Sequence, residues 1–285
     1  MKILVTGVGG QLGYDVCRVL GAREIENQGV DLADFDITDA TATRTYIEGF
    51  RPDAVIHCSA WTAVDLAESE PERAHAVNVT GTGNIAEACK TVGAKLLYLS
   101  TDYVFPGDGE GFYAPEDPTG PLSVYGKTKL GGELAVTARL SRYFIVRTSW
   151  VFGKNGNNFV KTMLRLAETK KELRVVCDQI GSPTYTADLA ELLCDMIVTE
   201  KYGTYHATNE GICSWAEFAE EIFRQSGKQV IVHPIPTSEY PTRAVRPLNS
   251  RLSKEKLDAM GFRRLPDWRD ALARYLKELQ GCAYG

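Results

Sequence analysis

The feature that most constrains the fold of this chain is an apolar strand pattern followed directly by a glycine-rich turn and a helix pattern. Residues 2–6 (KILVT) are mainly apolar with β-branched members, which is typical of a buried strand. Gly7, Gly10 and Gly13 follow at intervals of three, and apolar residues at helical spacing come next. Glycines there would let the backbone approach a pyrophosphate, and the helix N-terminus would offer free N–H groups. The segment predicts a dinucleotide site, with a plain glycine turn as the alternative.

Strand and helix patterns alternate through the first half of the chain. Residues 72–92 have helical periodicity, and apolar runs predict further strands at 28–32, 54–57, 95–99 and 143–147. This alternation predicts an α/β fold with a Rossmann-type, doubly wound parallel sheet.

The pattern loosens after about residue 150, where prolines separate some of the helix patterns. We assign residues 1–150 to an NAD(P)-binding Rossmann domain. Residues 151–285 are assigned mostly to a smaller substrate-binding cap, with some segments returning to the main sheet. A substrate is expected in the cleft between the two, beyond the carboxyl ends of the strands. We interpret the Gly-, Pro- and acid-rich stretch from Pro106 to Pro121 as a mobile loop over that cleft.

Composition disfavours several classes of function. The 285 residues carry a net charge of −5 without a basic run, which argues against nucleic acid or an anionic membrane as partner. No apolar stretch approaches the length of a membrane span, and the first residues resemble a strand rather than a signal peptide. We therefore expect a cytoplasmic protein. The seven cysteines form no C-x-x-C pair and the four histidines lack metal-ligand spacing, so neither predicts a metal site.

Tyr125 and Lys129 are four residues apart, which places both side chains on one face of the helix predicted for this segment. A phenol is a poor acid at neutral pH, and a neighbouring ammonium would lower its pKa. The pair therefore suits protonation of a carbonyl that is being reduced to an alcohol. Tyr-x-x-x-Lys alone is common, and an ordinary exposed helix is the alternative.

Asp31 follows Gly13 by 18 residues, close to the spacing of the acidic residue that accepts a hydrogen bond from a ribose 2′-OH. A carboxylate there opposes the 2′-phosphate of NADPH, and neither Leu32 nor Ala33 offers a cation to offset it. Asp31 therefore favours NADH over NADPH, with a simple loop aspartate as the alternative.

The glycine motif and the Tyr-x-x-x-Lys motif, in this order, resemble the extended short-chain dehydrogenase/reductase superfamily. Further strings narrow the resemblance to the dTDP-4-dehydrorhamnose reductase family: STDYVF (100–105), YGKTK (125–129), RTSWV (147–151), GNNF (156–159), DQIGSPT (178–184) and RPLNSRL (246–252). The similarity runs from Ile3 to about Leu279.

This resemblance implies an NAD(P)H-dependent reduction of the C4 keto group of dTDP-4-dehydro-L-rhamnose. Tyr125 would protonate the C4 oxygen, and Thr101 would hydrogen-bond the same oxygen. Lys129 would hold the nicotinamide ribose and lower the tyrosine pKa. Asp102 would contact the substrate, and Trp150 would pack against the sugar.

The resemblance also implies a set of residues that line the dinucleotide: Gly10, Gln11, Leu12, Asp36, Ile37, Ser59, Ala60 and Trp61. Trp61 stands where a histidine is often found, and Arg246 would help to close the nucleotide-sugar pocket. Some family members hold Mg²⁺ between subunits through acidic side chains. Here Asp15 stands where one glutamate would be and Ala187 replaces another, so Mg²⁺ has an incomplete carboxylate set. Both a monomer and a homodimer are compatible with the resemblance.

Two alternatives to this reductase stay open at the level of sequence. One is another sugar-nucleotide reductase or an epimerase of the same superfamily; an epimerase uses the hydride only transiently. The other is a non-catalytic NAD(P)-binding regulatory subunit. The joint presence of Thr101, Tyr125 and Lys129 argues against the second alternative.

Overall fold

The computed structural model describes residues 1–281; residues 282–285, at the end of the expected cap, lie outside the described part. The first half runs through β1 (Ile3–Thr6), α1 (Gln11–Ala22), β2 (Asn27–Val30), α2 (Ala40–Phe50), β3 (Ala54–His57), α3 (Val64–Ala67), α4 (Pro71–His75), α5 (Thr82–Val92), β4 (Lys95–Thr101), α6 (Val124–Thr137) and β5 (Tyr143–Thr148). A π-helix (Ala76–Gly81) joins α4 to α5, and a 3₁₀ turn (Asp102–Val104) follows β4.

The second half is built from shorter strands and longer connections. It runs through β6 (Val151–Phe152), α7 (Phe159–Leu166), β7 (Glu172–Val176), β8 (Ile180–Gly181), β9 (Thr184–Tyr185), α8 (Thr186–Ile197), β10 (Gly203–His206), β11 (Cys213–Ser214), α9 (Trp215–Ser226), β12 (Ile231–Ile235), β13 (Asn249–Ser250), α10 (Glu255–Ala259) and α11 (Trp268–Gly281). A 3₁₀ turn (Thr237–Glu239) follows β12.

The central sheet has the strand order β2-β1-β3-β4-β5-β10, and every neighbouring pair is parallel. One face is covered by a core that includes α1 and α8, the other by a core that includes α2 and α5. β3 and β4 are buried along their whole length, and their central runs, 54–56 and 96–99, lack the polar alternation of a half-exposed strand. The predicted α/β fold of the Rossmann type is confirmed.

The sheet places a crevice beside β1. The chain leaves β1 for the edge strand β2 and returns to β3 on the other side of β1. Open parallel sheets bind ligands at such a reversal, beyond the carboxyl ends of the strands. The glycine-rich turn after β1 lies at this reversal.

Three local features differ from the sequence-based expectation. Residues 72–92 contain α4, the π-helix and α5 rather than one regular helix, because six residues adopt the wider π winding. The strand expected at 28–32 ends at Val30, since the Asp31 N–H bonds the Asp34 carboxylate at 2.8 Å instead of continuing the ladder. Helix α2 was not expected; Asp39 caps it by accepting hydrogen bonds from the N–H groups of its first turn.

A second hydrophobic core lies in the C-terminal half. It combines α7, α9 and α11 around large side chains such as Phe152, Phe218 and Trp268. By contrast, α8 and β10 of this half belong to the main sheet layer, where β10 pairs with β5. Within residues 1–281, the helices lack the combination of length and apolar character that would let one cross a membrane.

The fold is expected to lose stability in acid because two of its histidines are buried. Burial lowers the pKa of His57 and of His206 to about 3 in each case. The unfolded chain binds protons on both near pH 6.5, whereas the folded chain does so only near pH 3, so stability falls as the pH drops between these values. We expect the free energy of unfolding to fall by up to about 1.4 kcal/mol per pH unit for each histidine.

Urea unfolding between pH 7 and pH 4 measures this slope. His57→Gln should make the slope shallower, because it removes one of the two titrating imidazoles. The glutamine amide can still hydrogen-bond Thr6 and Thr82, which the imidazole contacts at 2.7 and 3.2 Å, so the fold should be kept. His75→Gln, on the exposed face of α4, is the matched control and should leave the slope unchanged. Equal slopes in the wild type and His57→Gln would contradict the assignment.

Candidate active site

A cleft of about 730 Å³ opens at the carboxyl ends of the central strands. Its volume lies in the range that small-molecule and cofactor sites occupy. The predicted site residues that line it are Gly7, Gly10, Gln11, Leu12, Gly13, Asp31, Asp36, Ile37, Ser59, Ala60, Thr101, Asp102, Tyr125, Lys129 and Trp150. Trp61 and Arg246 lie outside this lining. The fold therefore brings together segments that are far apart in the chain.

The glycine turn forms one end of the cleft. Gly7 has a φ of 75°, in the left-handed region that favours glycine. A Cβ on Gly13 would lie 2.3 Å from the Gly7 carbonyl oxygen, so the turn and α1 are as close as two backbones allow. Gly10 precedes α1 and has no side chain to cap the first-turn N–H groups. Such an uncapped helix N-terminus is suited to a phosphate group.

Two carboxylates, those of Asp31 and Asp36, line the part of the cleft next to the glycine turn. Asp31 Oδ2 accepts a hydrogen bond from the Gly9 N–H at 2.6 Å, which fixes the carboxylate beside the glycine turn. Asp36 Oδ1 accepts from the N–H and the hydroxyl of Thr38, both at 2.8 Å. Among the described residues that line the cleft, Lys129 is the only cation.

Asn78 holds the loop after β3, and the sequence analysis missed this residue. Its Oδ1 accepts from the Trp61 N–H at 2.8 Å, and its Nδ2 donates to the Trp61 carbonyl and to Thr128 Oγ1 at 3.1 and 3.0 Å. Asn78 is buried on the π-helix, whose winding regular helical periodicity cannot reveal. The Trp61 indole N–H donates to the Ala63 carbonyl at 3.2 Å, outside the cleft lining.

Thr101, Asp102, Tyr125 and Lys129 meet on the opposite wall of the cleft. Thr101 ends β4, and its hydroxyl donates to Asp102 Oδ1 at 2.9 Å. Tyr125 lies in the first turn of α6, with Lys129 one turn later on the same helix face. The Tyr103 ring meets the Tyr125 ring edge-on at 5.4 Å between centroids.

The protein around Tyr125 keeps its hydroxyl protonated. Desolvation raises the pKa of Tyr125, the hydrogen bond with Thr101 opposes this rise, and the charge of Asp102 adds to it. The expected lowering of this pKa by Lys129 is not found, because the Lys129 Nζ donates instead to the Leu99 carbonyl at 2.6 Å. Tyr125 is therefore a neutral phenol at neutral pH, which is the form that can donate a proton.

Burial shifts the pKa values of Lys129 and Asp102 towards neutrality. Burial lowers the pKa of Lys129 to about 7, although the carboxylate of Glu133 opposes this shift. Burial raises the pKa of Asp102 to about 6, and hydrogen bonds from Ser250 and Thr101 oppose that rise. Ser250, on β13, donates to Asp102 Oδ2 at 2.5 Å. A strand of the C-terminal half therefore contacts the cleft wall that carries Asp102 and Tyr125.

Arg246 bridges the rim of the cleft. Its guanidinium donates to the Tyr103 hydroxyl at 3.2 Å and to Asp65 Oδ2 at 2.5 Å. The Ala244 N–H donates to Asp65 Oδ1 at 3.1 Å. Asp65 lies on α3, so this carboxylate ties the segment before β13 to the loop that follows β3.

The residues at the expected metal position do not fit Mg²⁺. Asp15 is fully buried, its Oδ1 accepts from the Arg18 guanidinium at 3.1 and 3.2 Å, and its Oδ2 accepts from Thr186 Oγ1 at 2.5 Å. Both oxygens are thus engaged, and Ala187 supplies no ligand. Residues 1–281 contain no cluster of three or more His, Cys, Asp or Glu side chains that could hold a metal ion.

Comparison with known proteins places this site in a family. The family model for the RmlD substrate binding domain matches residues 1–281. The spore coat polysaccharide biosynthesis protein SpsK of Bacillus subtilis is 43% identical over 97% of this chain and 97% of its own length. A dTDP-4-dehydrorhamnose reductase of Streptomyces griseus is 44% identical over 98% of this chain and 94% of its own length.

A solved structure agrees with the sequence relatives. The dTDP-4-dehydrorhamnose reductase of Bacillus anthracis in complex with NADP superposes with a TM-score of 0.95 at 43% identity, covering 97% of this chain and 99% of that one. The sequence matches extend over 97–98% of this chain and therefore include both halves. The chain belongs to the dTDP-4-dehydrorhamnose reductase family, as its motifs predicted.

Proposed function

We propose that the chain catalyses the NAD(P)H-dependent reduction of the C4 keto group of dTDP-4-dehydro-L-rhamnose to dTDP-L-rhamnose. The observation that carries this proposal is the neutral Tyr125 phenol in a cleft whose other end is the uncapped glycine turn. This arrangement supports a proton donor and a dinucleotide site within the same cleft. The relatives named as dTDP-4-dehydrorhamnose reductases supply the identity of the sugar nucleotide.

The chemistry divides between cofactor and protein. The reduced nicotinamide supplies a hydride to C4 of the sugar. Tyr125 donates its hydroxyl proton to the C4 oxygen as negative charge develops there, and the tyrosinate then regains a proton from solvent. Thr101, beside Tyr125, is the second group assigned to the C4 oxygen, and the Asp102 carboxylate, which its hydroxyl contacts at 2.9 Å, holds its side chain in place. Lys129, whose Nζ lies at the Leu99 carbonyl, would hold the nicotinamide ribose when the cofactor is bound.

A coupled assay on dTDP-4-dehydro-L-rhamnose tests the proposal. We expect one NAD(P)H to be oxidised for each dTDP-L-rhamnose formed, with the product sugar identified by chromatography. Formation of an epimer without net cofactor oxidation would assign the chain to the epimerases. Cofactor binding without turnover of a nucleotide sugar would favour a regulatory subunit.

We further propose that NADH is preferred over NADPH. Asp31 presents a carboxylate at the position expected for the adenosine ribose, and the lining residues offer no cation there. A 2′-phosphate would therefore meet negative charge without compensation. The Bacillus anthracis relative was solved with NADP, so the two cofactors must be compared directly in this chain.

Replacing Asp31 by alanine is expected to raise kcat/KM for NADPH relative to NADH by about tenfold, because both the charge repulsion and the ribose hydrogen bond are removed. Steady-state rates with each cofactor measure this ratio. Asp39→Asn, at the cap of α2 and outside the cleft lining, is the matched control. A wild-type preference for NADPH, or a ratio that Asp31→Ala does not change, would contradict the role of Asp31.

The remaining features of the proposal follow from composition and fold. We propose that residues 1–150 form the NAD(P)-binding Rossmann domain and that residues 151–285, described up to 281, form mostly the substrate-binding domain, with some segments returning to the main sheet. The protein works in the cytoplasm as a monomer or homodimer, with a dTDP-sugar as its ligand and without nucleic acid or a membrane as partner. The net charge of −5 supports the last point.

A further inference from the structure

Trp150 has a strained backbone. Its φ is 50°, in the left-handed region that bulky residues rarely occupy. Such strain persists only where the surrounding structure imposes it, and it is common at functional sites. Here the Trp150 carbonyl accepts from the Thr184 N–H at 3.1 Å, and the preceding Ser149 hydroxyl donates to the Ser182 carbonyl at 2.9 Å. The backbone on either side of the strained bond is therefore fixed.

The Trp150 ring is stacked on a second tryptophan. The Trp215 ring lies 3.8 Å from it between centroids, with 14° between the planes. Trp215 begins α9 directly after Ser214, whose side chain forms a reciprocal capping box with Glu217. Its indole N–H donates to Gln179 Oε1 at 3.2 Å, and the buried Gln179 donates in turn to Thr237 Oγ1 at 3.0 Å. Helix cap and hydrogen bonds together fix the position of Trp215.

Gly181 leaves room for the Trp150 ring on another side. A Cβ on Gly181 would lie 2.9 and 3.0 Å from Cε2 and Cζ2 of the Trp150 ring, closer than side chains pack. The ring therefore occupies space that only a glycine leaves free. Trp150 lines the cleft, whereas Trp215 and Gly181 do not. The Trp215 ring therefore reaches the cleft through its stack with Trp150, whereas Gly181 adjoins both the Trp150 ring and Ser250, whose Cβ would lie 3.0 Å from an added Cβ.

We propose that Trp215 is a positioning residue that holds the Trp150 ring at the sugar end of the cleft and thereby determines affinity for the hexose of the substrate. This inference rests on the proposed function. A ring face that is fixed before binding contacts a sugar without an ordering cost, whereas a loose ring must first be immobilised. The stack with Trp215 and the clearance at Gly181 supply that fixation.

The test compares Trp215→Leu, which removes the ring, with Trp215→Phe, which keeps an aromatic plane. We expect Trp215→Leu to raise KM for dTDP-4-dehydro-L-rhamnose about tenfold, and Trp215→Phe to raise it by less than about threefold. The inhibition constant of dTDP, which lacks the hexose, should be unchanged in both variants. Gly181→Ala should also raise KM for the sugar nucleotide while Trp215 is kept, because its methyl group would crowd the Trp150 ring at 2.9 Å. Since that methyl group would also lie 3.0 Å from Ser250 Cβ, Trp215→Leu is the variant that isolates the stack.

Circular dichroism provides a readout that does not depend on turnover. Two stacked indoles couple their transitions and give a far-ultraviolet couplet, which we expect in the wild type, in altered form in Gly181→Ala, and not in Trp215→Leu. Should Trp215→Leu fail to fold, Trp215→Phe and Gly181→Ala carry the comparison.

A rise in KM confined to the sugar nucleotide, with loss of the couplet, supports the positioning role. Wild-type KM values in both Trp215→Leu and Gly181→Ala would overturn it, as would an equal rise in the dTDP inhibition constant. A wild-type protein that does not reduce the sugar overturns the proposed function itself. An active wild type with an unchanged Trp215→Leu variant overturns only the present inference.

Discussion

Replacing Tyr125 by phenylalanine is expected to lower kcat by roughly 10²–10⁴-fold, because the variant lacks the hydroxyl that protonates the C4 oxygen. The ring and its edge-on contact with Tyr103 are kept, so the cleft should retain its shape. The dissociation constant for NADH, measured by fluorescence, should stay close to that of the wild type. The substitution is therefore expected to lower kcat without weakening cofactor binding.

Tyr113→Phe is the matched control for this variant. Tyr113 donates its hydroxyl to Asp108 in the stretch between β4 and α6 and does not line the cleft. It should lose the same hydroxyl without loss of turnover. A Tyr125→Phe variant that keeps most of the wild-type kcat would remove Tyr125 as the proton donor.

Replacing Lys129 by methionine is expected to lower turnover by on the order of 10²–10³-fold and, at the same time, to stabilise the fold. The ammonium is buried and its carbonyl partner at Leu99 compensates it only in part, since burial lowers the pKa of Lys129 to about 7 from an ordinary value of 10.5. Methionine fills a similar volume without a charge. Removal of the charge should raise the free energy of unfolding by up to a few kcal/mol at pH 6.

The pH dependence of this gain identifies its cause. Below pH 7 both folded and unfolded chains carry the Lys129 proton, so the wild type bears the full cost of the buried charge. Between pH 7 and 10.5 only the unfolded chain retains the proton, so wild-type stability rises and the advantage of Lys129→Met shrinks. Denaturant titrations of both proteins from pH 6 to 10 measure this difference in the free energy of unfolding. Lys127→Met, on the exposed face of the same helix, should show no such trend, and a destabilised Lys129→Met at pH 6 would refute the buried-charge account.

Local sequence patterns predicted the strand, glycine turn and helix that form one end of the cleft. The strand, turn and helix from Ile3 to Ala22 are adjacent in the chain, so their spacing carries the geometry directly. The same holds for Tyr125 and Lys129, which one helix turn separates. The direction of the Lys129 ammonium was not predictable, because it depends on the Leu99 carbonyl of a different element.

The missed residues share a different physical origin. Asn78 and Trp215 act through partners that are 17 or more residues away along the chain. The same holds for Ser250, which one of the sequence motifs included but whose contact with Asp102 the motif did not reveal. Ser250 lies on β13, which has two residues and is too short to show any periodicity. Tertiary packing, not local pattern, brings these side chains against residues and segments at the cleft. A single sequence contains no signal for such contacts.

The carboxylate of Asp65 has a consequence for how ligands at the two ends of the cleft affect each other. It lies on a four-residue helix that follows Ser59 and Ala60 in the chain, and it holds Ala244 and Arg246 at the rim. A dinucleotide that settles against the loop after β3 would shift α3, and the segment bonded to Asp65 would move with it. Coupling of this kind is reciprocal, so a ligand at either end of the cleft would change the affinity for a ligand at the other end by the same factor, whichever of the two enters first.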